Sequence, residues 1–307
     1  MRIPLGALAA MVSLWACDDP KLGTVARPLR ACGHQLVEVA GLSDVSVLLV
    51  MDRSRSMASG GKWNETRAAV DVALAGYDRY LRFGLLMYPT EAFSCDVAAV
   101  PDVPSALGNG GLIARTMAAS DNLRGTPTGS ALRAAAAILA DDPSPRRAVI
   151  LATDGRPQCD SERCDEFDVE CAAVEAYDAT DALAEAGVPV YVVGIRGSDE
   201  AADILSRIAD IGQTALSGDT AYYDTASGDD VARALVDIAV GIDGCTAALD
   251  PHDGPYHHLA VTVDGAFVGN DAGDGWTLVD DRLHLNGSAC LASPGETRSV
   301  EVTWFCE

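Results

Sequence analysis

Lysine is nearly missing from this chain: of 22 basic residues only Lys21 and Lys62 are lysines, and 45 acidic residues face them. The formal charge at pH 7 is −23. A surface of that sign repels phosphate backbones and anionic headgroups, which removes nucleic acid and acidic lipid surfaces from the expected partners. It serves solubility and attracts divalent cations. Histidine is scarce too, at five residues. His252, His257 and His258 cluster without a Cys or carboxylate at ligand spacing and read as surface or strand residues. Common catalytic signatures are missing: there is no GxSxG, no HExxH and no Gly-rich phosphate loop ending in Lys. No enzymatic activity is expected. Beyond the first 17 residues no segment approaches the roughly 18–20 apolar residues of a membrane-spanning helix. There is no internal repeat.

What is present describes a folded protein. A length of 307 residues suits about two domains. Hydrophobic residues at 49% and aromatics at 6% allow sizeable cores. The chain starts MRIPLGALAAMVSLWAC, a short basic start and an apolar stretch of signal-peptide length. Leu14-Trp15-Ala16-Cys17 resembles a bacterial lipobox, which would make residues 1–16 a lipoprotein-type signal peptide and Cys17 the lipid-bearing residue. An ordinary cleaved signal, with Cys17 only a cysteine, is the alternative. Nine cysteines, less a lipidated Cys17, leave an even eight, as a disulfide framework in an oxidising compartment requires. Export to the cell envelope, on the periplasmic or outer surface, is the expectation.

Residues 17–43 read as a Pro/Gly-punctuated tether and lead-in. From Val45 short apolar runs alternate with Ala-rich amphipathic stretches. The runs are VSVLLV (45–50), FGLLMY (83–88), AVILAT (148–153) and VPVYVV (188–193). The helical stretches fall near 62–80, 128–140, 169–186, 200–211 and 229–241. Strands with little polar alternation, separated by helices, predict a doubly wound α/β domain over 44–243, with a mostly parallel sheet and helices on both faces. Residues 244–307 lack a helical run. They show strand-like stretches at 258–263, 276–279, 282–285 and 298–305, separated by Asp264-Gly265, Asp274-Gly275, Asn286-Gly287 and Pro294-Gly295. This is a small all-β appendage that needs disulfide staples.

Three segments converge on one edge of such a sheet. Asp52-Arg53-Ser54-Arg55-Ser56 leaves the carboxyl end of the first strand; GTPTGSAL (125–132) opens a helix; LATDGRP (151–157) ends a later strand at Asp154. Sites in doubly wound folds lie beyond those strand ends. Hydroxyls and carboxylates without His or Cys are hard oxygen donors, suited to Mg²⁺, Mn²⁺ or Ca²⁺. Taken alone, Asp52-x-Ser-x-Ser is also a fair helix cap or turn.

Asp-x-Ser-x-Ser, Thr126 in Gly-Thr-x-Thr and Asp154 in Thr-Asp-Gly together resemble the von Willebrand factor A domain and its metal-ion-dependent adhesion site. The resemblance covers roughly 44–243. It implies metal binding by Asp52, Ser54, Ser56, Thr126 and Asp154, with hydroxyls on the ion and aspartates often acting through water. It further implies a Mg²⁺ (or Mn²⁺ or Ca²⁺) cofactor, and a protein or peptide partner whose Asp or Glu carboxylate completes the coordination. Arg53 and Arg55 depart from the usual small spacer residues. They should point away from the ion, and Arg55 could pair with Asp154 or an incoming acidic ligand.

On this topology Cys95, Cys159, Cys164 and Cys171 should lie near the metal face as two disulfides, and Cys32, Cys245, Cys290 and Cys306 should tie the lead-in to the appendage. A four-thiolate zinc site in the first group fits an oxidising compartment poorly. The acidic residues around it (Asp160, Glu162, Asp165, Glu166, Asp168, Glu170) read as a solvated rim, with a second cation site as the alternative. The expected function is cation-dependent recognition of an acidic group by an envelope-anchored module. Its rivals are a structural envelope protein with a vestigial metal site and a partner of a chelatase-type ATPase, which export disfavours.

Overall fold

The computed structural model describes residues 30–40, 45–78, 81–158, 164, 168–243, 245–250, 258–271, 273–279, 282–290 and 297–306. The expected signal peptide, Cys17, Cys159, His252, His257, the Pro294-Gly295 turn and most of the acidic loop beside Cys164 lie outside the described residues.

The central sheet is built from β2 (Val45–Asp52), β3 (Arg82–Tyr88), β4 (Val103–Ala106), β5 (Arg146–Thr153), β6 (Val190–Gly194) and β7 (Tyr223–Asp224), in the order β4-β3-β2-β5-β6-β7. All neighbours are parallel except β4, which runs antiparallel to β3 at one edge. Every residue of β2 is buried, as a central strand covered on both faces must be. Its alternation sorts the core into two layers. Val45, Val47, Leu49 and Met51 face one side, and Leu48 and Val50 face the other. On the first side pack α1 (Lys62–Tyr77), α2 (Gly110–Ala118) and α6 (Gly228–Asp243), through residues such as Val70, Ile113 and Ile238. On the second pack α3 (Thr128–Ala140), α4 (Val169–Glu185) and α5 (Ala202–Ile211), through Leu132, Ala176 and Leu205. Each such Leu or Val contributes about 1.5–3 kcal/mol by leaving water.

The β2 chain end turns into α1 on the first side, whereas β5, hydrogen-bonded next to it, leads to α4 on the second. Adjacent strands whose exits diverge to opposite faces open a crevice at the sheet edge, the usual ligand position in this architecture. Asp52 and Thr153 are the last residues of these two strands.

The C-terminal unit is β-rich, as its alternation and turn residues imply. It comprises β8 (Thr246–Ala248), β9 (Leu259–Val263), β10 (Ala266–Val268), β11 (Gly275–Val279), β12 (Arg282–Asn286) and β13 (Thr297–Cys306). Asp264 (φ 51°) and Gly265 (φ 80°) form the two-residue turn between β9 and β10, the backbone an Asp-Gly hairpin needs. The lead-in is more than a tether: β1 (Arg30–Ala40) runs antiparallel to β13 along its length, giving a sheet β1-β13-β9-β10 beside a second, β11-β12-β8. Val37 and Val39 face inward and Leu36 and Glu38 outward, a period-two pattern in the linker itself. Asp274 lies in the bend that separates β10 from β11, and Gly275 is already the first residue of β11, paired with Asn286 of β12. A disulfide joins Cys245, ahead of β8, to Cys290, after β12. The inner residues of this unit (Val261, Val263, Leu283, Val300, Val302) are continuous with the α1/α2/α6 side of the main core.

Candidate metal centre

Asp52 is fully buried where β2 ends. Its Oδ1 accepts the Ser54 amide at 2.6 Å, and its Oδ2 accepts the Thr153 hydroxyl at 2.6 Å. These bonds fix the carboxylate and turn the chain out of the strand. Burial pushes the Asp52 carboxyl up to about 7; the nearby Asp154 charge adds to that, and the Thr153 and Ser54 hydrogen bonds oppose it. Tyr88, paired with Asp52 in register, has a fully buried hydroxyl that makes no well-formed hydrogen bond among the described residues. Burial, with Asp52 beside it, holds that phenol well above its ordinary value.

A 3-10 turn over Arg55–Gly61 then leads into α1. Through it the hydroxyls of Ser54 and Ser56 lie 2.8 Å apart, and Ser56 donates to Asp154 Oδ1 at 2.7 Å. Asp154 Oδ2 receives the ammonium of Lys62 at 2.5 Å. Ser54 and Asp154 are buried and Ser56 is exposed, so the oxygen cluster opens outward at Ser56.

Thr126 reaches the same edge through backbone bonds. Its amide donates to Gln158 O at 2.9 Å, and the Gln158 amide donates back at 3.0 Å, which ties the loop before α3 to the loop after Asp154. The Leu123 amide donates to Arg53 O at 2.9 Å, and Asn122 donates to the carbonyls of Arg53 and Ser54. Asp52, Ser54, Ser56 and Asp154 therefore share one hydrogen-bonded cluster. Thr126 stands half-buried on the adjoining loop and, among the described residues, its hydroxyl bonds to none of the other four.

The spacer arginines take different positions from one another. Arg53 turns away from the cluster and donates to the carbonyls of Pro89 and Thr90, both at 2.9 Å. Arg55 is exposed. The cation on Asp154 is Lys62, not Arg55. Phe93, 71% exposed with φ 63°, carries the Arg124 guanidinium over its ring at 5.2 Å, and its amide donates to Arg124 O at 3.0 Å, next along the chain from Leu123. Cys95 is disulfide-bonded in the loop that carries Phe93, and Cys164 is bonded to Cys171 in the first turn of α4, where Asp168 caps the helix by accepting the Cys171 amide at 2.9 Å. Cys32 is also disulfide-bonded.

The donor set suits a hard divalent cation. The converging atoms are all oxygen, and a positive charge, the Lys62 ammonium, already sits against Asp154. Among the described residues no group of three or more His, Cys, Asp or Glu gathers anywhere, and the oxygens at this edge are two carboxylates and the hydroxyls of Ser54 and Ser56, with Thr126 on the adjoining loop. Two residues here escaped the sequence analysis. Thr153 had a visible signal, a hydroxyl directly before Asp154. Lys62 had a weaker one, the rarity of lysine.

The sheet order and the helices on both of its faces define an α/β domain of the von Willebrand factor A type. The family profile for the von Willebrand factor type A domain matches residues 46–234, and the chain belongs to that family. Among solved structures, the pilus adhesin SpaC from Lactobacillus rhamnosus GG in its open conformation aligns with a TM-score of 0.54 at 15% identity, over 87% of this chain and 39% of that one. Another crystal form of the same adhesin gives a TM-score of 0.53 at 16% identity, over 87% and 40%. A von Willebrand factor type A protein from Catenulispora acidiphila gives 0.50 at 15% identity, over 91% of this chain and 63% of that one. The chain thus spans about two-fifths of the adhesin's length, and at these identities the likeness is one of fold. Among curated proteins none matches the chain.

Proposed function

We propose that this chain is a non-enzymatic binding module that recognises an acidic group on a protein or peptide through a divalent cation at the β2/β5 edge. The observation that carries the proposal is the convergence of Ser54, Ser56 and Asp154 oxygens, braced by buried Asp52, at the crevice where adjacent strands diverge. Ser54, Ser56 and Thr126 would hold the ion by neutral hydroxyls, with Asp52 and Asp154 behind them. An ion kept on neutral ligands supplies a nearly undiminished positive charge and room for a partner carboxylate. The chain's own residues do the rest. Asp52 orients the Ser54 turn, Thr153 locks Asp52, and the rim of Arg55, Arg124 and Phe93 selects the partner. The adhesin of L. rhamnosus is a pilus protein of the same fold, and binding of that kind at an extracytoplasmic surface suits this chain's disulfides. Anchoring through Cys17 belongs to the same proposal, and palmitate labelling lost in Cys17→Ala tests it.

The ammonium of Lys62 on Asp154 favours one rival: an envelope protein that uses the fold structurally, with the internal cation in place of a metal. Thermal melting separates the two. Under the binding proposal, millimolar Mg²⁺ or Mn²⁺ raises the melting temperature of the parent and not of Asp154→Asn. No shift in the parent supports the rival.

A further inference from the structure

The one lysine among the described residues sits where its own helix gives it no reason to be. Lys62 is the first residue of α1, the end at which the helix dipole disfavours a cation. The rest of the chain's positive charge, Lys21 apart, is arginine. Yet the Lys62 side chain is only 16% exposed and its Nζ lies 2.5 Å from Oδ2 of Asp154, whose side chain is wholly buried. The neighbourhood is cut to fit it. Gly197, in the loop after β6, has φ +96°, and a Cβ at that position would stand 3.3 Å from Nζ, so the ammonium lies under bare backbone. Arg196 beside it donates to Gly60 O at 2.8 Å and holds that loop against the turn leading into α1. The carboxylate so engaged is also bonded through its other oxygen to Ser56, within the proposed metal cluster.

We infer that Lys62 is a tethered cation that competes with the divalent ion for Asp154. This rests on the proposed metal site. Without metal, the ammonium neutralises a buried carboxylate that stands near a second one, Asp52, and keeps the cluster assembled. With metal, two positive charges meet on one carboxylate and repel, so loading requires Lys62 to leave its position under Gly197. The apparent metal affinity is reduced by the fraction of molecules in which Lys62 is seated, and Lys62 sets the cation concentration at which the module becomes competent to bind. Displaced, Lys62 adds a free ammonium beside the acidic group of an arriving partner.

Two measurements test this. In calorimetric titrations with Mg²⁺ and Mn²⁺, Lys62→Met binds about tenfold or more tightly than the parent, the size of an ordinary coupling between sites. In the parent itself, lysine acetylation read by mass spectrometry finds Lys62 protected in chelator and several-fold more reactive in saturating Mg²⁺, with Lys21 as the internal control. Metal binding that is unchanged or weakened in Lys62→Met, or Lys62 reactivity that Mg²⁺ leaves alone while Mg²⁺ binds, overturns the competition and spares the metal site. Failure of both parent and Lys62→Met to bind either ion overturns the metal site, and the competition with it.

Discussion

The Thr153 hydroxyl donates to Asp52 Oδ2 at 2.6 Å, joining the last residues of two adjacent parallel strands at the point where their exits diverge. The Asp52 carboxylate lies wholly inside the protein, and this bond and the Ser54 amide are what hold it. A buried acceptor that loses its donor costs roughly 1–3 kcal/mol. Thr153→Val keeps the shape and removes the donor, so it should lower unfolding stability by about that amount, measured by urea denaturation in chelator. It should also weaken metal binding, because the Ser54 turn hangs on Asp52.

Asp52 also predicts a pH dependence. Its folded value is raised to about 7, while in the unfolded chain it returns to about 3.9. Between those values the folded state holds the proton more tightly, so the contribution is full at low pH and is lost as pH rises from about 4 through about 7. One proton over that range is worth a few kcal/mol at most, from about 1.4 kcal/mol per pH unit. Denaturation curves in chelator should therefore show the parent losing stability relative to Asp52→Asn across that window. A parallel course for the two proteins counts against the buried carboxyl.

The seating of the Thr126 loop predicts a mutation of opposite local and tertiary effect. Gly129 lies in the first turn of α3, and a Cβ there would stand 2.9 Å from the Glu175 backbone and 3.0 Å from the Ala176 amide of α4. Alanine is the better helix former by about 1 kcal/mol, but overpacking costs typically 1–3 kcal/mol. Gly129→Ala should destabilise by roughly 1–2 kcal/mol and shift the loop that carries Thr126. A gain in melting temperature would show that α3 and α4 can part freely.

The Cys245–Cys290 bond closes a separation of 45 residues within the β unit. Both sulfurs are buried. The double variant Cys245→Ala/Cys290→Ala should lose about 2–4 kcal/mol, seen as a lower urea midpoint, with the β2/β5 edge left intact to metal titration.

Much of this architecture was legible because its signals are local. The apolar run 45–50 had no polar alternation and became the fully buried central strand, and the Ala-rich stretches became α3 and α4. The edge strand β4 escaped because its four residues, Val-Pro-Ser-Ala, carry a proline and half-exposed positions. The nine-residue α2 and the two-residue β7 are too short for a periodicity to emerge. The role of β1 was hidden for another reason: its partner β13 is at the far end of the chain, and pairing at that distance leaves only a faint alternation in each strand. At the site, residue types and order pointed to Asp52, Ser54, Ser56, Thr126 and Asp154 as a group. The Lys62 to Asp154 contact, 92 residues apart, needed the three-dimensional course of the turn into α1.

The most direct test is a calorimetric titration of the metal-stripped protein with Mn²⁺ and Mg²⁺, set against the triple variant Ser54→Ala/Ser56→Ala/Thr126→Ala, which keeps both carboxylates. One ion bound per chain in the parent and none in the variant is the predicted result. No binding by the parent, or equal binding by the variant, would contradict a hydroxyl-built cation site at the β2/β5 edge.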